Sequence, residues 1–120
     1  GHTPGTTSFF FDIVHEGRTL TCAMHGGLGA VVLSREMLDK QRWPYSTQQL
    51  YLDNLKKIRE RKVDVVIPSH VGHGKSAGYD FFAIQETDDG SGNVFIDPTA
   101  WQRMIDGKIR EMEQMMAEGR

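Results

Sequence analysis

The first residues of the chain constrain its fold most, because a tight turn runs there directly into a strand. Gly1, Pro4 and Gly5 favour a turn, and residues 8–14 follow with three consecutive phenylalanines. Apolar residues point to both sides of this segment, which predicts a strand that is largely buried. His2 lies in the turn, where the backbone would direct its ring as a metal ligand requires.

The rest of the sequence predicts further elements of an α/β domain. Residues 18–24 return as a partner strand after a turn at residues 15–17, with Leu20 and Cys22 directed inward. Ser46 and Gln49 fit a capping box that opens a helix over residues 47–62. A buried strand at 63–67 and a last helix at 98–118 complete the pattern, and residues 79–84 fit either a helix or a strand.

Two motifs resemble segments of metallo-β-lactamase-fold hydrolases. His2-Thr3-Pro4-Gly5-Thr6-Thr7-Ser8 is similar to that family's GHTPGST segment, in which the histidine binds zinc. Val63-Asp64-Val65-Val66-Ile67-Pro68-Ser69-His70 resembles a later strand that ends in a further zinc-binding histidine. Residues 22–27, between these motifs, lack an aspartate on the strand. The resemblance is therefore nearest to the third subclass of metallo-β-lactamases and to their uncharacterised hydrolase relatives.

The resemblance implies an α/β fold that forms the C-terminal half of a four-layer αββα sandwich. The family's principal signature, a His-x-His-x-Asp-His loop that supplies most metal ligands, does not occur in the sequence. We therefore expect residues 1–120 to be a C-terminal portion, and the N-terminal half of the same fold, or another copy of the chain, to be its partner. Alone, the chain is expected to be inactive.

The resemblance also implies zinc, as one or two ions in the intact protein. His2 would be the third imidazole on the first ion, and His70 would bind the second. Metal-bound hydroxide would attack a small-molecule substrate, a cyclic amide or ester of the β-lactam or lactone type. Two other readings remain open: His2 as a frayed terminal residue and His70 as a hydrogen-bonded histidine at a strand end.

His25 stands where many relatives carry an aspartate that bridges the two metals. An imidazole there could bind a metal, support a metal ligand by a hydrogen bond, contact the substrate, or belong to a glycine-rich loop without a role. His73, three residues after His70, fits an exposed loop better than a metal ligand. Cys22 fits a small core residue.

Composition excludes several classes of function. The net charge of −2 gives no support for binding to nucleic acid or to an anionic membrane, and no apolar run reaches membrane-spanning length. A single cysteine excludes an internal disulfide and leaves the compartment open. The competing hypothesis is a non-catalytic module that uses the same half-fold for oligomerisation or partner binding.

Overall fold

A mixed three-stranded sheet carries helices on one face in the computed structural model, which describes residues 3–27, 29–72 and 74–120. The strands are β1 (Phe9–His15), β2 (Arg18–Met24) and β3 (Val65–Val66), in the spatial order β1-β2-β3. β1 and β2 are antiparallel, whereas β2 and β3 are parallel. The helices are α1 (Arg35–Gln41), α2 (Ser46–Arg59), α3 (Phe81–Glu86) and α4 (Ala100–Ala117), with short 3-10 helices at Ala30–Leu33 and Lys75–Ala77.

The β1–β2 hairpin has a two-residue turn whose backbone suits the twist of its strands. Glu16 and Gly17 both have positive φ, 50° and 75°, as the central residues of a type I′ turn do. The register runs from His15 opposite Arg18 to Phe9 opposite Met24. The two predicted strands are confirmed, and their register fixes which residues meet at the open end of the hairpin.

The core lies between the sheet and the two long helices, α2 and α4. Trp101 of α4 is buried, meets Phe10 of β1 edge-on at 5.4 Å between ring centroids, and donates its indole N–H to the carbonyl of Ile58 at 2.9 Å. Ala23 of β2 and Leu55 of α2 are fully buried in the same cluster. The apolar residues of both helices that face the sheet therefore form the core.

β1 differs from its prediction as a buried strand. It is the edge strand of the sheet, and Phe9, Phe11, Ile13 and Val14 are exposed. Within the described residues, the long helices pack on the face of the sheet that carries Phe10 and Ala23. The opposite face is exposed along β1, although Leu20 and Cys22, which lie on that face of β2, are buried.

Two helix starts and one strand also depart from the prediction. α2 begins at Ser46 after Tyr45 at its N-cap, no side chain caps it, and the Gln49 amide donates to Asp53 instead, so the capping box does not form. α4 begins at Ala100 rather than at residue 98. β3 contains two residues rather than five, although Ile67 N–H still donates to the carbonyl of Ala23 at 2.8 Å. Pro68 has no N–H with which to continue the ladder.

Residues 79–84, which fitted either a helix or a strand, include the start of α3, where the Asp80 carboxylate accepts from the N–H of Ala83. Within the described residues, no helix is both long and apolar enough to cross a membrane.

Candidate functional site

His25 lies at the open end of the hairpin, and both of its ring nitrogens lie near hydroxyl groups. Because Phe9 pairs with Met24, the next residues outward, Ser8 and His25, face each other. The Ser8 hydroxyl lies 2.9 Å from His25 Nδ1. The hairpin register therefore creates a serine–histidine hydrogen bond between residues 17 positions apart in sequence.

Tyr51 of α2 holds the other side of the His25 ring. Its hydroxyl lies 3.4 Å from His25 Nε2, and the two rings stack with centroids 6.3 Å apart. The same hydroxyl donates its proton to the carbonyl of Gly27 at 2.8 Å. Since that proton is committed, the tyrosine oxygen accepts from Nε2–H, and Nδ1 accepts from the Ser8 hydroxyl. The network thus assigns one tautomer to His25.

Both rings of this network are removed from solvent. His25 and Tyr51 are each 2 % exposed, and Trp101 meets the imidazole edge-on. Burial, with a smaller effect of the Glu111 charge, raises the pKa of Tyr51 above its ordinary value. Tyr51 is therefore a neutral hydroxyl at physiological pH, able to donate and to accept.

Gly26 allows the two loops of the site to approach closely. A Cβ on this residue would lie 2.7 Å from the Thr6 methyl carbon and closer still to the carbonyl oxygen of Thr7. The N–H of Gly26 also points to the Ser8 hydroxyl at 3.4 Å. A side chain at this position would push the Ser8 segment away from His25.

A pocket of about 320 Å³ opens beside this network. Ser8, His25 and Asn54 give it polar groups, whereas Phe10 and Leu55 give it apolar surface. Such a combination is typical of small-molecule sites.

His2, a predicted metal ligand, lies outside the described residues. His73, which was predicted to be an exposed loop residue, also lies outside them. His70 is exposed in the turn that follows β3 and Pro68. Within residues 3–27, 29–72 and 74–120, no group of three or more His, Cys, Asp or Glu side chains is arranged to hold a metal ion. Zinc in proteins takes three or four protein ligands, so the described residues do not complete such a site. His25 is directed into the Ser8–Tyr51 network.

Cys22 is fully buried in β2. Burial, followed by the charges of Asp64 and Asp12, raises the pKa of Cys22, so the thiol is protonated and unreactive.

Lys108 of α4 is also buried, and its ammonium donates to Glu111 at 2.6 Å and to Ser76 at 3.3 Å.

Sequence analysis missed Ser8 and Tyr51 as members of the site. The ring of Tyr51 packs in the apolar core, whereas its hydroxyl reaches His25. Ser8 could have been found from the pairing of the two predicted strands, since a short turn places residue 8 opposite residue 25.

The structure is similar to the crystal structure of BJP-1, a subclass B3 metallo-beta-lactamase of Bradyrhizobium japonicum. The TM-score is 0.69 at 17 % sequence identity, and the likeness covers 98 % of this chain. The chain spans 42 % of the length of that structure. Comparisons of the sequence with protein-family models and with curated proteins give no match. The likeness confirms the expected fold: the chain is an α/β structure with the fold of one part of a metallo-β-lactamase.

Proposed function

We propose that the chain is part of a zinc-dependent hydrolase that cleaves a cyclic amide or ester of the β-lactam or lactone type. The observation that carries this proposal is the likeness to a metallo-β-lactamase over nearly the whole chain. The motif around His2 and the strand that leads to His70 support it from the sequence. Zinc, once held by a full ligand set, would supply an activated water for hydrolysis.

In this proposal, residues 1–120 supply only part of the metal site. His2 and His70 would each contribute an imidazole, and the remaining ligands would come from a His-x-His-x-Asp-His loop outside this sequence. His25, whose ring is held by Ser8 and Tyr51, is buried beside a pocket of this chain. The chain alone would then be inactive in the zinc reaction.

The proposal also assigns a partner to the exposed face of the sheet. Phe9, Phe11 and Ile13 alternate along β1 and share the face opposite the helices, with exposed fractions of 56 %, 44 % and 39 %. Three large apolar side chains side by side favour a covering layer. The N-terminal half of the same fold, or another copy of the chain, would provide that layer.

Metal content tests the proposal most directly. Elemental analysis of the intact protein that carries the histidine–aspartate loop should find about one or two zinc ions per molecule. His2→Ala and His70→Ala should each lower the zinc content, whereas His15→Ala, a histidine at the hairpin end, should not. Hydrolysis of a β-lactam or a lactone should stop with a chelator and return with zinc. Absence of zinc from the intact protein, or unchanged zinc in both ligand variants, would favour the non-catalytic module.

A further inference from the structure

We propose that Ser8 and His25 form a nucleophile–base pair that hydrolyses small carboxylic esters without a metal. The central observation is the 2.9 Å hydrogen bond between the Ser8 hydroxyl and His25 Nδ1. This distance lies within the range at which an imidazole takes the proton of an attacking hydroxyl. The proposal does not depend on zinc and is separate from the function proposed above.

The tautomer of His25 is the one that a general base needs. The Tyr51 hydroxyl gives its own proton to the Gly27 carbonyl at 2.8 Å, so its oxygen faces Nε2–H. The lone pair of Nδ1 is thereby directed at Ser8. Tyr51 thus acts as a positioning residue, in the role that a third group has in a catalytic triad.

The base is buried, but the nucleophile is not. His25 is 2 % exposed, which holds its ring in one orientation among Tyr51 and Trp101. Ser8 is half-buried and lines the pocket of about 320 Å³. A substrate in this pocket would meet the hydroxyl without having to displace the imidazole.

The same pocket offers groups for binding and for holding the nucleophile. Phe10 and Leu55 provide an apolar wall for a short acyl chain. The N–H of Gly26 donates to the Ser8 hydroxyl oxygen at 3.4 Å, which helps to hold that oxygen beside His25.

The reaction has two balanced steps. The Ser8 oxygen attacks the ester carbonyl while His25 Nδ1 takes the hydroxyl proton, and the alcohol leaves with that proton as the C–O bond breaks. An acyl-serine remains. Water then attacks the acyl carbon, His25 takes a proton from the water, and Ser8 leaves with that proton as the carboxylic acid is released.

The first test is covalent labelling of the purified chain by a fluorophosphonate, in the presence of a chelator. Ser8 would attack phosphorus and displace fluoride, and peptide mass spectrometry would find the phosphonyl group on Ser8. The chelator excludes the proposed zinc reaction, so the two proposals can fail independently. A wild-type protein without an adduct on Ser8 at saturating probe overturns the inference.

Variants test the role of the base. His25→Asn should lower the rate of labelling at Ser8 by about 100-fold or more, since general-base catalysis contributes that much. Ser8→Ala should remove the adduct and the burst of p-nitrophenol released from p-nitrophenyl acetate. Ser91→Ala and His15→Asn, matched changes outside the pocket, should leave both signals unchanged.

Circular dichroism establishes that each variant is folded. If His25→Asn fails to fold, Tyr51→Phe replaces it, because this change keeps both reacting groups and removes only the positioning hydroxyl. It should slow labelling while leaving the adduct on Ser8. An unchanged labelling rate in the folded variant, or equal labelling of Ser8 and Ser91, would show that Ser8 is not activated.

Discussion

At His25 the imidazole is held between two hydroxyl groups that come from different parts of the chain. Ser8 reaches it because the hairpin register brings the strand ends together, and Tyr51 reaches it from α2. The Tyr51 hydroxyl also closes the loop after β2 by its bond to Gly27. One phenol therefore links the sheet, the long helix and the glycine-rich loop.

The burial of Tyr51 predicts an alkaline loss of stability. Because its pKa is raised above the ordinary value near 10, the folded state keeps a proton that the unfolded chain releases. The stability that this difference in pKa gives to the folded state is fully present below about pH 10, and it is lost as the pH rises toward the pKa of the folded state. Between about pH 9 and 11, roughly the range around that ordinary value, the free energy of unfolding should therefore fall less for Tyr51→Phe than for the wild type. At neutral pH the variant should be less stable by about 1 kcal/mol, because it lacks the hydrogen bond of the tyrosine hydroxyl.

Urea unfolding across this pH range measures the effect. Phe82→Leu is the control, because Phe82 is exposed and carries no ionisable group. Equal dependence of the free energy of unfolding on pH in Tyr51→Phe and in the wild type would contradict the prediction.

At the scale of elements, local sequence patterns predicted where strands and long helices occur, but not how their ends pack. The β1–β2 hairpin and α4 follow directly from apolar periodicity and turn residues. The capping box at Ser46 failed because Pro44 and Tyr45 already turn the chain: the N–H groups of Thr47 and Gln48 donate to their carbonyls. β1 was expected to be buried because its pattern is apolar on both sides, but such a pattern does not show whether a second layer packs on the strand, and Phe9 and Phe11 are exposed.

α4 also contains a contact that no pattern signals. Gly107 is buried in the middle of the helix, where it faces the short helix Lys75–Ala77. A Cβ there would lie 2.7 Å from the Cα of Ala77 and closer still to its carbonyl oxygen. The two backbones touch because this residue has no side chain.

Gly107→Ala should therefore destabilise the protein even though alanine favours helices. The helix gains about 1 kcal/mol in propensity, but overpacking against a rigid backbone costs about 1–3 kcal/mol, and the short separation places the cost at the upper end. Chemical denaturation gives the difference in free energy of unfolding. Gly92→Ala, with open space around its Cβ position, is the control and should change stability little. An increase in stability for Gly107→Ala would show that α4 and the short helix can separate at low cost.

At the scale of the whole molecule, we expect the exposed apolar face of β1 to decide how the chain behaves in solution. Phe9 and Phe11 of β1 are on this face, and β1 is an edge strand whose outer backbone groups can pair with another chain.

We expect residues 1–120 to associate in solution through this surface when produced alone. A double change of Phe9 and Phe11 to Thr keeps β-propensity while it removes most of the apolar area, so the variant should shift toward monomer. Analytical ultracentrifugation over a range of concentrations measures the shift. Phe82→Thr is the matched control, because Phe82 is 54 % exposed and belongs to α3 rather than to β1, so its loss should leave association unchanged. A wild-type chain that stays monomeric at high concentration would remove the need for a covering layer, and with it the proposed partner.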